Sequence, residues 1–322
     1  MDDVQSIALS KEELEQGRYG TGTLVKVLNA MHQDGLVVLK DVIPVEVIDK
    51  LNAKMCEDAE KRIADPSQGY NHGIKSNILQ RPPICDAQYL NKEIYFNPFL
   101  LQVANAYLGH KPIWNWLTSN VALANTGGIR QPAHKDSRYV HPLFPYFFIA
   151  NIPLCDFSIE NGATEFWLGS HAHTTSTDQV MPSTLEDIKP YPGGSMDDPL
   201  PAISDEAKSQ RTQIRPPIQP LCRKGDIMIR DLRTWHAGMP NSSAEHRVML
   251  GLGYQSPAHG NESMHVHLPK SQEQFFKSHD ADMVEVRAKW YEDDELANTQ
   301  ADTVFDTRPS YLKRIDELEL WI

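Results

Sequence analysis

Residues 225–238 read GDIMIRDLRTWHAG, and this stretch decides the fold. A turn at Gly225 leads into an apolar β run that ends in His236, between a tryptophan and an alanine-glycine pair. Similar short β-rich runs lie at 113–124, 146–154, 164–168 and 248–254, separated by clusters of Gly, Pro, Asn and Ser. The second half of the chain is therefore predicted to be rich in short strands.

The first third has a helical pattern instead. Apolar residues recur at helical spacing over 23–33, with Gly35 at the predicted end, and Pro44 and Asn97-Pro98 are predicted to open two further helices. Helices followed by many short strands favour a mainly β fold with helical additions. We expect a double-stranded β-helix (jelly-roll, cupin-like) core buttressed by N-terminal helices.

The chain of 322 residues is predicted to form a single domain. Its expected parts are a mostly helical buttress over 1–112, the jelly-roll core over 113–256 and a C-terminal helical extension over 257–322. Within the core, the proline-rich stretch 172–219 has little periodicity, so we interpret it as an insertion or lid.

Composition limits the partners and the compartment. A net charge of −12 disfavours general binding to nucleic acid or to anionic membranes, and a small-molecule substrate is expected. Neither a signal peptide nor a membrane span is apparent, and the four cysteines are scattered without a C-x-x-C pair, so a cytoplasmic location is expected. The sequence leaves a homodimer open.

A candidate metal site begins with His134 and Asp136. They are two residues apart, so on an extended strand both side chains leave the same face. An H-x-D pair alone is a weak signal, but His236 at the end of its β run offers a third ligand. Two imidazoles and one carboxylate form the facial triad of iron(II) oxygenases, although the same set with water also describes catalytic zinc.

Arg247 lies eleven residues after His236, across a predicted hairpin turn. If Arg247 lies on the strand next to His236, its side chain could face the same site. A guanidinium there can bind a carboxylate through two parallel hydrogen bonds. A diacid co-substrate bound to the metal would require such a group. A surface arginine is the competing interpretation.

Taken together, these segments resemble the phytanoyl-CoA dioxygenase family of iron(II)- and 2-oxoglutarate-dependent oxygenases, in particular its fungal specialised-metabolism branch. The resemblance covers roughly residues 20 to 256. It is carried by QPAHKD at 131–136, ENGAT at 160–164, GSH at 169–171 and the stretch from Gly225 through His236 to Arg247.

The resemblance implies that His134, Asp136 and His236 bind Fe(II), which makes them both the metal ligands and the catalytic residues. It also implies 2-oxoglutarate and O₂ as co-substrates, with Arg247 anchoring the far carboxylate. Gln131 and Thr164 are implied to help hold 2-oxoglutarate, although Gln131 could be a strand-capping amide and Thr164 a simple β-former.

The expected activity is oxidation of a small organic substrate, most plausibly a natural-product intermediate, by hydroxylation, desaturation or a related C–H oxidation. Two alternatives stay open: a metal-dependent jelly-roll hydrolase or isomerase without 2-oxoglutarate, and a non-catalytic barrel that binds ligands. About a hundred residues separate Asp136 from His236, more than is usual for this branch, so the insertion gives no guide to the substrate.

Other polar residues are interpreted as structural. The H-x-H pairs at 171–173 and 265–267 have no carboxylate at strand spacing, so His171 is expected to stabilise its turn and the others to lie at the surface. Asn77 and Arg81, in a polar segment ahead of the barrel, are weak candidates for contact with the substrate.

Overall fold

The computed structural model describes residues 4–71, 75–137, 141, 143–180, 202–279, 281–298 and 305–311. The helices are α1 (Lys11–Gln16), α2 (Thr21–Asp34), α3 (Val45–Ile63), α4 (Lys92–Tyr95), α5 (Pro98–Leu108), α6 (Asp205–Ile214), α7 (Glu273–Ser278) and α8 (Asp293–Asn298). The strands are β1 (Ser6–Ala8), β2 (Leu36–Lys40), β3 (Asn77–Leu79), β4 (Ile113–Ala122), β5 (Phe147–Pro153), β6 (Glu165–Phe166), β7 (Gln179–Val180), β8 (Ala202–Ile203), β9 (Ile227–Asp231), β10 (His236–Ala237), β11 (Arg247–Gln255), β12 (Val266–Pro269), β13 (Glu285–Val286) and β14 (Ala288–Tyr291).

The helices predicted in the first third are confirmed, and their ends have local causes. Helix α2 ends at Gly35, whose φ of 70° is the left-handed conformation that glycine adopts without strain. Helix α5 begins at Asn97, whose side-chain oxygen accepts hydrogen bonds from the backbone N–H groups of Phe99 and Leu100. Helix α3 begins directly after Pro44.

Most strands belong to one large sheet in the order β1-β2-β9-β5-β11-β4-β13, and β3 pairs with the other end of β4. The inner pairs, from β2 to β4, are antiparallel. A small sheet of β6 and β10 faces it and is extended by single bridges from His134 to His236 and from Phe166 to Ile218.

The two faces of the large sheet pack against different layers. One face carries Val37, Ile229 and Leu250, which belong to the main hydrophobic core with the N-terminal helices. The opposite face carries Val38, Met228 and Met249, which form a second cluster with Phe166 of the small sheet and with neighbouring residues. We call this second side the inner face. Two facing sheets with helices on the outside confirm the expected jelly-roll core.

Regions outside the core mix helix and strand. Part of the insertion, residues 181–201, lies outside the described residues, and its flanks form β7, β8 and α6. A helical extension is expected over 257–322, but the described residues there contain the short helices α7 and α8 together with β12, β13 and β14. Strand β14 pairs with β12 in parallel.

Within the described residues, we find no helix that is both long enough and apolar enough to cross a membrane.

Candidate metal centre

The candidate metal centre lies where the small sheet is extended by His134. The backbone N–H of His134 donates to the carbonyl of His236 at 2.9 Å, and the reverse bond measures 2.8 Å. This antiparallel bridge places the two imidazoles side by side, with ring centroids 4.2 Å apart. Residues about a hundred positions apart in sequence are therefore fixed as neighbours by the backbone itself.

Each histidine uses one ring nitrogen for structure and leaves the other for a ligand. Nδ1 of His134 donates to the carbonyl of Pro132 at 2.8 Å, and Nδ1 of His236 donates to the carbonyl of Thr234 at 3.1 Å. These bonds place the proton on Nδ1, so the lone pair is on Nε2. Both Nε2 atoms lie 3.7 Å from Oδ1 of Asp136.

The three side chains therefore form a site that suits one divalent ion. One ligand atom from each of His134, Asp136 and His236 lies within 4.8 Å of the others, and this is the only such group found among the described residues. Two imidazole nitrogens and one carboxylate oxygen thus lie close together. This donor set fits iron(II).

The charge states of the ligands favour metal binding. Burial raises the pKa of Asp136, but the charges of Arg230, His236 and His134 and the hydrogen bond from Arg230 together outweigh this effect and hold that pKa well below its usual range. Burial, followed by the charge of Arg230, holds the pKa of His236 well below its usual range. At neutral pH the carboxylate is ionised and this imidazole is neutral, which are the forms that bind metals.

Arg230 was not identified from the sequence. It lies in β9 with only 4% of its surface exposed, and its Nη2 donates to Oδ2 of Asp136 at 2.7 Å. Its sequence signal is one arginine that follows three apolar residues in the strand. That signal says nothing about which side chain the arginine meets, because the contact depends on how the barrel closes.

Arg247 is buried at the start of β11, with 1% of its surface exposed. Its Nη2 donates to the carbonyl of Gly162 at 3.2 Å, and its guanidinium lies over the ring of Phe157 at 5.1 Å. Nε and Nη1 are buried and have no hydrogen-bond partner among the described residues. Burial lowers the pKa of Arg247 to about 10, so the group is still charged at neutral pH.

The strand register shows that Arg247 and Arg230 share the inner face. Side chains alternate along a strand and agree across a pair, so Arg247, Met249 and Gly253 of β11 point to one side. Gly253 pairs with Ile149, and Ile149 pairs with Arg230, which contacts Asp136. The free donors of Arg247 therefore belong to the same side of the sheet as the metal centre.

Gln131 and Thr164 are also buried near this region. The side-chain oxygen of Gln131 accepts from the backbone N–H of Gly238 at 2.9 Å, whereas its Nε2 is buried without a partner among the described residues. Gln131 thus caps the strand edge and still has a donor to offer. Thr164 is 5% exposed and lies two residues after Gly162, whose carbonyl binds Arg247.

The remaining sequence candidates lie elsewhere or have structural contacts. His171 is buried, with its Nε2 near the carbonyl of His32, whereas His173 is exposed. Asn77 is buried in β3 and lies in register with Ala122 and Arg247, on the same face. Arg81 donates to the carbonyl of Leu296, in a surface pocket outside the metal centre.

Comparison with known proteins shows the family to which the chain belongs. The family model "Phytanoyl-CoA dioxygenase (PhyH)" matches residues 31–249, more than half of the chain. The iron/alpha-ketoglutarate-dependent dioxygenase ausO of Aspergillus calidoustus is 25% identical over 69% of this chain and 70% of its own length. The corresponding dioxygenase penM of Penicillium thymicola is 25% identical over 49% of this chain and 54% of its own length.

Two further comparisons extend over more of the chain. Dioxygenase aneA of Aspergillus aculeatus is 23% identical and covers 76% of both chains. Among solved structures, the non-heme alpha ketoglutarate dependent epimerase SnoN from nogalamycin biosynthesis aligns with a TM-score of 0.48 at 17% identity, over 74% of this chain and 82% of that one.

A jelly-roll core holding a two-histidine, one-carboxylate site defines the class of mononuclear non-haem metalloenzymes. Within that class, the chain belongs to the phytanoyl-CoA dioxygenase family, as its motifs predicted. It is an iron(II)- and 2-oxoglutarate-dependent oxygenase that requires Fe(II), with 2-oxoglutarate and O₂ as co-substrates.

Proposed function

We propose that His134, Asp136 and His236 bind the iron of this oxygenase, and that Arg247 binds the far carboxylate of 2-oxoglutarate. Gln131 and Thr164 are proposed to contact the same co-substrate. With both co-substrates bound, iron(II) supplies an oxidant that can remove hydrogen from a C–H bond, with succinate and CO₂ as co-products. The protein itself must orient that bond and exclude water.

The observation that carries this proposal is the state of Arg247. A buried, charged guanidinium normally has most of its donors satisfied, because an unpartnered buried charge is costly. Nε and Nη1 of Arg247 have no partner among the described residues, and they lie on the face of the sheet that meets the metal centre. A carboxylate would satisfy both donors in the bidentate geometry that arginine favours.

For the primary substrate we propose a small, largely apolar natural-product intermediate. The inner face carries the apolar residues Val38, Met228 and Met249. It also carries Thr118 and Asn151, which flank Gly251 and whose side-chain oxygens have no partner among the described residues. An apolar lining with a few polar groups is typical of small-molecule sites. The relatives ausO and penM are fungal dioxygenases, and the net charge of −12 disfavours a CoA thioester.

A cytoplasmic location is proposed as well, because all four cysteines are free. The acidic balance makes binding to nucleic acid or to an anionic membrane an unfavourable alternative. The proposal does not depend on whether the chain is a monomer or a homodimer.

Anaerobic titration of the iron(II)-loaded protein with 2-oxoglutarate tests the assignment. We expect a weak visible charge-transfer band that saturates with the co-substrate and is absent in His236→Ala. Arg247→Met should shift the titration to higher 2-oxoglutarate concentration without removing the iron. A folded, iron-loaded wild-type protein that gives no band would count against 2-oxoglutarate binding at this centre.

A further inference from the structure

Arg230 is a second buried arginine at the metal centre, and its role differs from that of Arg247. Its side chain is 5% exposed, and Nη2 lies 2.7 Å from Oδ2 of Asp136. The other carboxylate oxygen, Oδ1, is the atom that lies 3.7 Å from each histidine Nε2. The two oxygens of Asp136 are thus divided between the guanidinium and the metal position.

The surroundings of Arg230 leave it few other partners. Its cross-strand neighbours on the inner face are Leu36 in β2 and Ile149 in β5, both buried and apolar. A guanidinium between apolar side chains is costly to bury unless it is paired with an opposite charge. Among the described residues, Asp136 is the only carboxylate that forms an ion pair with it.

The contact between Arg230 and His236 is repulsive. Nη1 lies 3.5 Å from Nδ1 of His236, but that nitrogen already donates its proton to the carbonyl of Thr234. Two donors facing each other do not form a hydrogen bond. Asp136 is therefore the partner that holds the guanidinium in place, and His236 is not.

We propose that Arg230 is a positioning residue that restricts Asp136 to one-oxygen ligation and adds a positive charge beside the metal. With Oδ2 held by the guanidinium, Asp136 offers a single oxygen, so one more metal position stays open for a co-substrate. The added charge favours a dianionic 2-oxo acid at those positions. This inference rests on the proposed function, because it assigns the triad to the metal.

The proposal predicts that loss of Arg230 affects the affinity for a divalent cation and the affinity for 2-oxoglutarate differently. Removal of the positive charge should leave the affinity for a divalent cation unchanged or raise it, since repulsion is lost and Oδ2 becomes free to bind. The same change should weaken the binding of 2-oxoglutarate, which carries negative charge. If Arg230 only supported the fold, its loss would displace Asp136 and weaken both ligands together.

The experiment compares Arg230→Met and Arg230→Lys with wild type and with Arg18→Met, which removes an exposed arginine outside the site. Mn(II) replaces iron as a redox-inert probe: its affinity is measured from the free-ion signal in electron paramagnetic resonance. The affinity of the Mn(II)-loaded proteins for 2-oxoglutarate is then measured by calorimetry. Circular dichroism and thermal unfolding establish that each variant is folded.

For Arg230→Met we expect an unchanged or tighter Mn(II) Kd and 2-oxoglutarate binding weakened about tenfold or more, which corresponds to one charge interaction. Arg230→Lys should restore part of the 2-oxoglutarate affinity, because it keeps the charge and loses the planar fork. Arg18→Met should match wild type in both measurements.

Weaker Mn(II) binding by folded Arg230→Met, or no change in either ligand, would overturn the role of Arg230. If Arg230→Met does not fold, Arg230→Lys decides: unchanged Mn(II) affinity with 2-oxoglutarate binding weaker than in wild type supports the role, and weaker Mn(II) binding overturns it. A wild-type protein that binds Mn(II) but not 2-oxoglutarate would instead refute the proposed function, and the Mn(II) measurements would still decide whether Arg230 controls the ligation by Asp136.

Discussion

Replacement of Arg247 by methionine should remove 2-oxoglutarate binding selectively. The guanidinium has two buried donors without a partner, Nε and Nη1, and a third that binds the carbonyl of Gly162. Hydrogen bonds that involve a charged group contribute about 1.5–3 kcal/mol each. Loss of two such bonds corresponds to about 3–6 kcal/mol, or roughly 10²- to 10⁴-fold in Kd. Because the carboxylate must also be desolvated on binding, we expect a value near the lower limit.

The assay is anaerobic titration of the metal-loaded variant with 2-oxoglutarate, together with a separate measurement of metal affinity. Arg247 donates to no metal-ligand side chain, so metal affinity should stay within about threefold of wild type. Arg247→Lys is the matched control: it keeps the charge without the fork and should fall between methionine and wild type. Equal loss of metal and 2-oxoglutarate affinity in a folded variant would refute the reasoning.

Two further predictions concern residues around the site and at the N-terminus. Gly238→Ala should weaken 2-oxoglutarate binding several-fold with little change in the midpoint of thermal unfolding. The reason is that the new Cβ would lie 2.5 Å from Oε1 of Gln131 and displace that amide. If calorimetry shows an unchanged affinity for 2-oxoglutarate, Gln131 does not contact the co-substrate. Glu13 accepts hydrogen bonds from the backbone N–H groups of Ser10 and Gly20, which lower its pKa to about 2. The free energy of unfolding of wild type should therefore exceed that of Glu13→Gln by its full amount above pH 4.5, and this difference should disappear as the pH falls toward 2. Urea unfolding at each pH measures the difference. A difference that does not change with pH would contradict the prediction.

The sequence could suggest the three proposed ligands because part of their geometry depends on local rules. The side chains of His134 and Asp136 share a face through the two-residue period of an extended strand, and His236 ends a recognisable β run. The structure then adds the bridge between His134 and His236, which brings the distant histidine to the pair. The sequence could suggest three ligands but could not show this pairing, since register depends on the closed barrel.

Some helices and strands could not be predicted from the sequence because they have no periodic pattern of apolar residues. Helix α6 has no buried residue, so nothing in its sequence marks an apolar face. The sequence therefore predicts an irregular stretch there. Its start is instead specified by Ser204, whose hydroxyl accepts from the backbone N–H of Ala207. Strands β1 and β3 are three residues long, which is too short for alternation to be distinguished from chance.

Arg230 shows why charge inside a β run is informative only after the fold is known. In β9, Ile227 and Ile229 face the helices, whereas Met228 and Arg230 face the small sheet. From the sequence, an arginine in this strand could mark an edge, a bulge or an error in the predicted strand. Once both neighbouring strands are known, it is a charge on the inner face of a central strand, and its burial requires an anion. The anion is Asp136, so the arginine that looks least suited to its strand is the one that we propose selects the carboxylate oxygen for the metal.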